Sequence, residues 1–461
     1  MKVKHISAAA LGFLVGGLLL VWWLSPRLSA WLPEDGIVSK SGSIGLTFTR
    51  PVAADEVATH LMIEPDLEGE YWNEANNVWF QPDDGFEYNQ RYTVTLSSGV
   101  GSSNRLQSRG SYSKEFRIRE PELFFLDEDA GVTNLWQHQD NDSPMQFTSE
   151  PEGIWDYNFS HDGLGILVST INREGSDDLV RIGAEGQRDT ILECVEVRCW
   201  DGRRQPRGQL IAFEQQLIND DEGVSEVWLL DTVTGSKKPA YTQQLARLTG
   251  FDSLESKFPR WSSDGQYLAY FKPDAGIIII QPMSGAEPIL IPANLQLLGE
   301  WSPMRNQIAY IEQVLPDQEL TDDSEDHDET RSQHLPAPFN HLVVANIESG
   351  EVIDMSEGEI FDDGLPAWSP DGSLLAVPRD NGGGGRQIWI VDPNRRQWSK
   401  ISDDLFYHYS GISWSPDGNK LALMRIPVEI TEATAEVHIL NIESGEMELI
   451  SKGAFLPGWQ P

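Results

Sequence analysis

The chain repeats one short unit three times, as FPRWSSDGQYLAY (258–270), LPAWSPDGSLLAV (365–377) and ISWSPDGNKLAL (412–423). In each copy an apolar strand ends in Trp-Ser, a tight turn containing Asp-Gly follows, and a second apolar strand returns. Glycine suits the turn because it adopts positive φ without a steric penalty. Such near-identical copies predict a fold built from structurally equivalent units.

Weaker copies of the unit fill the rest of the region: NFSHDG (158–163), QPRG (205–208), WSP (301–303) and LPGWQP (456–461). Equivalent positions recur at about 40 to 67 residues, a spacing typical of β-propeller blades of four strands each. The large Trp at the end of a leading strand can fill the wedge between neighbouring blades. The residues predicted to have this structural role are Trp261, Asp264, Gly265, Trp301, Trp368, Asp371, Gly372, Trp414, Asp417, Gly418 and Trp459.

The two ends of the repeat region complement each other. Residues 122–148 contain three predicted strands without the leading strand and turn motif, whereas residues 455–461 contain a leading strand alone. Joining the two completes a blade and removes an exposed sheet edge. We therefore expect a propeller of seven blades over residues 121–461, with six or eight blades as alternatives.

The W-S-P-D-G turn resembles that of TolB-type propellers, and the resemblance extends over most of residues 121–461. Three copies match the pattern strictly, while the others depart from it at the Pro, Asp or Trp. Propellers of this type resemble protein-binding platforms and the substrate-gating domain of prolyl-oligopeptidase-like peptidases. The resemblance thus implies a rigid recognition surface or a gating domain.

Residues 37–119 alternate short apolar runs with turn signals, which predicts a small all-β sandwich. The order IGLTFTRPV (44–52), MIEP (62–65), VWFQP (78–82) and YTVTL (92–96) resembles the bacterial Ig-like domain found in surface-layer and other exported proteins. This resemblance implies a spacer or adhesion module without catalytic residues. The whole chain is therefore expected to be all-β, with a sandwich followed by a propeller.

The segment Ile6–Leu24 carries no charge and is long enough to cross a hydrocarbon core of ~30 Å as a helix. Two Lys precede it and two Trp stand at its far end, so the positive-inside rule places residues 1–5 in the cytoplasm. We expect residues 1–36 to form a cytoplasmic stub, a single-pass membrane anchor and a linker, with the bulk of the chain extracytoplasmic. A signal peptide cleaved after Ala30 is the alternative.

The formal net charge is -38, which disfavours a nucleic-acid partner because phosphate binding needs a basic surface. Such acidity also keeps a large exported protein soluble. The two cysteines, Cys194 and Cys199, exclude a disulfide-dense scaffold and a four-cysteine zinc site. Their spacing permits a disulfide across a tight hairpin, and two small buried side chains are the alternative.

The insertion Leu315–Asn340 is rich in carboxylates and carries three His at intervals of seven residues, counting His341. Metal binding is conceivable there. A charged loop that is poor in aromatic residues is more often solvated and disordered, and nothing in the spacing fixes a ligand geometry. We therefore expect a solvated loop and assign no metal ligand.

The sequence has no G-x-S-x-G elbow followed by an α/β domain, no H-E-x-x-H, no P-loop and no EF-hand pattern. We assign no catalytic or cofactor-binding residue. The expected function is that of a membrane-anchored binding or scaffold protein, whose propeller face recognises an envelope protein or glycan. The alternative is an envelope enzyme that processes glycosides or peptides at an unrecognised site.

Overall fold

The computed structural model describes residues 24–461 except for gaps at 34–35, 41, 75, 84, 89, 103–105, 140–141, 162, 164, 173–174, 184–185, 219–222, 295–297, 315–338, 381–384 and 429–433. The predicted anchor Ile6–Leu24 lies outside these residues apart from Leu24. The acidic insertion also lies outside them, apart from its last two residues. None of the helices that can be described is long and apolar enough to span a membrane.

The N-terminal unit is a β-sandwich of two four-stranded sheets. One sheet has the order β1-β3-β6-β5 and the other β2-β8-β7-β4, with one short helix beside them. The elements are β1 (Leu28–Leu32), β2 (Ile37–Val38), β3 (Ile44–Phe48), α1 (Ala54–Ala58), β4 (Leu61–Glu64), β5 (Gly69–Glu74), β6 (Asn77–Pro82), β7 (Arg91–Leu96) and β8 (Tyr112–Ile118).

Alternation along the strands builds the core of this sandwich. In β7, every second side chain, from Tyr92 to Leu96, is buried, while those between them face outward or are only half-buried. The structure begins the sandwich earlier than the predicted boundary at residue 37, because β1 pairs antiparallel with β3 and Trp31 packs edge-on against Phe116 at 6.0 Å between ring centroids. Flanking prolines had made this edge strand resemble a linker.

The second unit, from Pro121 onward, is made of short antiparallel strands and one helix, α2 (Gln243–Thr249). Thr242 caps this helix by accepting a hydrogen bond from the Leu245 amide, and Gly250 ends it in the left-handed conformation. The strands are β9 (Leu123–Asp129), β10 (Val132–His138), β11 (Met145–Gln146), β12 (Ile154–Phe159), β13 (Gly165–Ile171), β14 (Asp177–Gly183), β15 (Arg188–Leu192), β16 (Val197–Arg204), β17 (Leu210–Leu217), β18 (Ser225–Asp231), β19 (Lys237–Pro239), β20 (Lys257–Trp261), β21 (Tyr267–Lys272), β22 (Ile277–Pro282), β23 (Ile289–Pro292), β24 (Gln307–Val314), β25 (Phe339–Asn346), β26 (Val352–Asp354), β27 (Asp362–Asp363), β28 (Ala367–Trp368), β29 (Leu375–Asp380), β30 (Gln387–Asp392), β31 (Gln397–Lys400), β32 (Tyr407–Trp414), β33 (Lys420–Pro427), β34 (Glu436–Asn441), β35 (Met447–Lys452) and β36 (Phe455–Trp459).

Strand pairing among the described residues groups these strands into seven blades. Blade 1 joins β9–β11 to β36, and blades 2 to 7 follow in chain order as β12–β15, β16–β19, β20–β23, β24–β26, β27–β31 and β32–β35. Blades 2 and 3 touch through one parallel pair, Asp177 with Arg198. In blade 5, the inner strand is reduced to a bridge between Trp301 and Ile308. The pairing of β36 with β9 is the predicted joining of the two ends.

Seven apolar clusters lie between successive blades and close the ring. The cluster around Phe124 and Ile166 joins blades 1 and 2, and further clusters join each following pair up to blades 6 and 7. The seventh joins blade 7 to blade 1 through Ala422 and Trp459. Because every sheet face is covered by the next blade, the ring buries the apolar side chains of all its inner strands.

The repeat tryptophans form a chain of hydrogen bonds around the ring. Each indole Nε1 donates to the carbonyl oxygen of the residue before the equivalent position in the preceding blade: Trp261 to Arg203 at 2.9 Å, Trp301 to Arg260 at 3.0 Å, Trp368 to Glu300 at 3.1 Å and Trp414 to Ala367 at 2.9 Å. Trp459 is equally buried, but its Nε1 has no partner among the described residues. The Trp side chains therefore link the inner strands of neighbouring blades by hydrogen bonds, and they also fill the wedges between these blades.

The turn that follows each Trp is fixed by its Ser, Asp and Gly. In blade 7, Ser415 Oγ donates to Asp417 Oδ1 at 2.5 Å and accepts the Lys420 amide at 2.9 Å, while Gly418 has φ of 75°. The turns of blades 4 and 6 repeat these contacts through Asp264 and Asp371. The motif residues are thus structural, and they place the start of each second strand.

Candidate functional site at the propeller axis

The inner strands of the seven blades present an asymmetric set of side chains at the axis. The position before each repeat Trp, or its equivalent, is polar or charged in blades 2 to 5 and small in blades 6, 7 and 1. In blade order from 2 to 1 the residues are Asn158, Arg203, Arg260, Glu300, Ala367, Ser413 and Gly458. One half of the axis is therefore filled by charge, and the other half carries short side chains.

Asp201 is the centre of the charged half. Its carboxylate accepts Arg203 Nε at 2.8 Å on one oxygen and Arg260 Nη1 at 2.6 Å on the other. Burial opposes ionisation of Asp201, but the two guanidinium groups outweigh it and lower its pKa. Asp201 lies in a strand bulge at φ of 46°, so a locally strained backbone aims this carboxylate at both arginines.

Glu300 completes the cluster from the far side. Its Oε1 lies 3.3 Å from Arg203 Nη1 and 3.1 Å from Arg260 Nε. Arg203 belongs to blade 3 and Glu300 to blade 5, so this contact joins two blades that are not neighbours. It shows that the inner strands of blades 3, 4 and 5 converge at the axis. The side chain of Glu300 is 48% exposed, whereas that of Arg260 is 12% exposed. The cluster therefore has a buried base and one accessible carboxylate.

Two further carboxyl groups beside Asp201 resist ionisation. Burial, followed by the charge of Asp201, raises the pKa of Asp156 to about 6 and that of Glu214 to about 7. Glu214 accepts the Phe258 amide at 2.9 Å and the Ser225 hydroxyl at 2.9 Å. With these pKa values, both carboxyl groups titrate near neutral pH. Such titration is a property shared by general acids and by purely structural buried carboxyl groups.

Exposed apolar side chains concentrate on one face of the propeller. We call this the entry face, since the inner strands begin there and the loops between second and third strands also lie there. Among the described propeller residues, 17 large hydrophobic side chains are exposed, and 11 of them are in loops or strand ends on this face: Trp155, Ile171, Val195, Leu217, Ile218, Ile360, Leu365, Leu405, Phe406, Val428 and Leu456. Exposed apolar side chains gathered on one face are a feature of interaction sites.

The residues singled out by the sequence analysis have structural roles. The repeat Trp, Asp and Gly residues lie in the wedges and turns already described. Cys194, in the loop after β15, and Cys199, near the start of β16, form a disulfide with a Cα–Cα distance of 6.4 Å, and both are buried in the core shared by blades 2 and 3. In the described part of the chain, no group of three or more His, Cys, Asp or Glu is arranged to hold a metal ion.

Sequence reasoning did not find the axial cluster. Its signal was present, because the residue before each Trp changes from charged to small around the ring. This change of residue type can be seen only when all seven copies are aligned. The copy at 205–208 is too degenerate to be aligned from its motif, so Arg203 is not recognised as an equivalent position. Asp201 and Asp156 are harder to find, since each lies three residues before the repeat position, at a bulge that the motif does not encode.

The comparisons with known proteins agree with this two-part architecture. Residues 25–117 match the family model described as bacterial Ig-like domain. A 209-residue stretch is 26% identical to "Uncharacterized peptidase YuxL" of Bacillus subtilis (strain 168), covering 41% of this chain and 30% of that protein. The chain thus matches less than a third of the length of this curated relative.

Among solved structures, the neighbours are TolB and other β-propeller proteins. TolB from Acinetobacter baumannii is 12% identical, with 81% of each chain covered and a TM-score of 0.43. The β-propeller domain of the Trilobed protease from Pyrococcus furiosus is 9% identical, with 79% of this chain and 95% of that chain covered and a TM-score of 0.46. The strands of the chain and its match to the bacterial Ig-like domain, not these likenesses, establish that it is an all-β protein with an Ig-like domain.

Proposed function

We propose that this protein is a membrane-anchored recognition protein of the cell envelope. In this proposal, Ile6–Leu24 holds it in the membrane with the N-terminus in the cytoplasm, and the entry face of the propeller binds a protein or glycan partner outside the cytoplasm. The observation that supports it most is the concentration of 11 exposed large apolar side chains on that one face. Keeping such a surface in water is unfavourable unless a partner covers it.

The architecture suits this role. A propeller gathers loops from every blade onto one rigid face, and the inter-blade cores keep that face from deforming. The charged half of the axis adds polar groups beside the apolar loops, with Glu300 accessible and the two arginines beneath it. An apolar surface with a few fixed polar groups is the usual composition of a recognition site.

The test uses the full-length tagged protein, solubilised in mild detergent and incubated with envelope extract of the source cells. The wild type is expected to retain a defined partner. The triple variant with Leu405→Ser, Phe406→Ser and Val428→Ser should lose this partner. The control, a double variant with Val233→Ser and Met304→Ser on the opposite face, should retain the partner. Equal retention by all three proteins, or no retained partner, would contradict the proposal.

The anchor is tested separately by fractionation. The full-length protein should remain with membranes after carbonate washing, and protease added outside intact cells should degrade the chain beyond about residue 30. Recovery of a soluble mature protein that begins near Trp31 would show instead that the N-terminal segment is a cleaved signal peptide.

The second candidate function is that of an envelope enzyme that processes peptides or glycosides. The likeness to the Bacillus relative, a protein named as a peptidase, favours it, and so do Asp156 and Glu214, the two carboxyl groups beside Asp201 with raised pKa values. We expect no turnover on peptide or glycoside panels. Turnover that survives purification and disappears in both Asp156→Asn and Glu214→Gln would favour the enzyme over the recognition protein.

A further inference from the structure

We propose that the part of the entry face formed by blades 6 and 7 docks a basic, apolar peptide segment of a partner protein. This inference rests on the proposed recognition function and specifies the chemistry of its partner. We name this part the docking patch and define it by Ile360, Leu365, Leu405, Phe406 and Val428. It lies beside the half of the axis that carries short side chains.

Two members of the docking patch, Ile360 and Phe406, are among the most exposed large apolar side chains of the described residues. Ile360 is 82% exposed and Phe406 is 67% exposed, and the other three lie between 40% and 48%. Aromatic and branched aliphatic side chains of this size are the usual anchors of protein interfaces. Their burial by a partner would remove exposed apolar surface from water.

Hydrogen bonds connect the loops of the patch into one surface. The Val428 amide donates to Phe406 O at 2.9 Å, which ties the blade 7 loop to the connection from blade 6. Gln387 Nε2 donates to Asp404 O at 2.8 Å, and the Asp404 amide donates back to Gln387 Oε1 at 2.9 Å. Phe406 is therefore held outward by a fixed backbone, which lowers the entropy cost of binding.

A buried ion pair extends this rigid support to Ile360. Arg379 lies against the face of Trp398, with its Cζ 3.2 Å from the ring centroid, and donates through Nε to Asp363 Oδ1 at 2.5 Å. Both members of the pair are almost fully buried, so the segment that carries Ile360 is anchored three residues away. The patch is a preformed surface, as expected of a docking site for a peptide segment.

Charge around the patch selects the partner. The described stretches that form its rim, 354–366, 378–380, 385–388 and 400–408, contain eight Asp or Glu and three Arg or Lys. The basic residues are already paired, Arg379 with Asp363, Arg386 with Asp362 and Lys400 with Asp403. The excess is acidic and includes the exposed Glu357 and Glu359.

An acidic rim around an apolar centre favours a segment that combines apolar side chains with Lys or Arg. The long stems of these residues can cover apolar surface while their charged heads reach the rim. The same rim repels nucleic acid and anionic lipid headgroups. The chemistry therefore points to a cationic peptide segment of a protein and not to a membrane surface.

The test measures binding of two synthetic 14-residue peptides to the full-length protein in nanodiscs of neutral lipid, by fluorescence anisotropy at physiological salt. Both peptides carry the same Leu and Phe residues, and they differ only in having Lys or Glu between them. The Lys peptide should bind to the wild type. The patch variant, which carries both Ile360→Ser and Phe406→Ser, should bind this peptide about tenfold more weakly or weaker still. The control double variant Val233→Ser, Met304→Ser should bind the Lys peptide with unchanged affinity. The double variant Glu357→Gln, Glu359→Gln should bind the Lys peptide more weakly, and its affinity should depend less on salt concentration.

Three outcomes would overturn the inference: the Glu peptide binds as tightly as the Lys peptide, the patch variant melts normally and binds the Lys peptide as tightly as the control does, or neither peptide binds. If an envelope partner is still retained through the entry face in any of these cases, the recognition function stands and only its assignment to a basic segment fails. Absence of both the partner and peptide binding would remove the two proposals together.

Discussion

Glu214 offers a direct test of the electrostatics at the propeller axis. The substitution Glu214→Gln copies the protonated carboxyl, because the amide oxygen can accept the Phe258 amide and the amide nitrogen can donate to Ser225. The variant cannot ionise. It therefore removes the cost of placing a negative charge in a buried site beside Asp201, while the shape and the two hydrogen bonds are kept.

The magnitude follows from the pKa of Glu214, which burial and Asp201 raise from 4.5 to about 7. Each tenfold change in proton affinity is worth about 1.4 kcal/mol, so the difference corresponds to about 3 kcal/mol. The folded state holds the proton more tightly than the unfolded state. Stability that comes from this proton is therefore fully present below pH 4.5 and is lost as the pH rises through about 7.

The assay is thermal unfolding of wild type and variant between pH 4.5 and 8.5. Near pH 4.5 the two should melt together, and at pH 8.5 the variant should be more stable by about 3 kcal/mol, or roughly 4 °C for a unit of this size. Glu287→Gln, at an exposed position, controls for the general gain from removing one negative charge from an acidic protein. A difference that does not change with pH, or a variant that is less stable at pH 8.5, would refute the assigned burial and charge of this site.

Three further outcomes are expected. Deleting Phe455–Pro461 should lower the melting temperature of the whole propeller, since blade 1 loses the strand that covers β9 and the ring gains open edges; unchanged melting would mean that the closure is not needed for stability. Trp414→Phe should cost about 1–3 kcal/mol in unfolding free energy because it leaves the Ala367 carbonyl without its donor, whereas Trp459→Phe, which loses no hydrogen bond among the described residues, should cost less. Cys194 and Cys199 should resist alkylation under non-reducing, denaturing conditions, and two freely alkylated thiols would reject the disulfide.

The propeller could be predicted from its sequence because the repeat motif encodes local chemistry. Ser415, Asp417 and Gly418 make contacts within six residues of one another, so the same letters produce the same turn wherever they occur. The strand order and the joining of β36 to β9 then followed from counting incomplete copies. The blade number agreed for the same reason, although one copy has Arg204 where the others have an aromatic residue.

The axial cluster and the start of the sandwich depend on tertiary contacts that no local pattern records. Arg203 and Glu300 meet only after three blades have been placed side by side. Leu28–Leu32 becomes a strand because β3 offers an open edge, and its own sequence lies between two prolines. The short helix α2 was also missed, since its capping by Thr242 falls between two repeat copies and outside the repeat pattern.

The pairing of β36 with β9 has a consequence for how the protein is made. More than 300 residues separate the two strands along the chain, so this contact is among the last that a growing or translocating polypeptide can form. Until residues 455–459 emerge, β9 presents an unpaired edge, the kind of surface on which chains associate wrongly. A protein of this design therefore completes blade 1 only after its last strand has been made, and a fragment that lacks residues 455–459 keeps the open edge of β9.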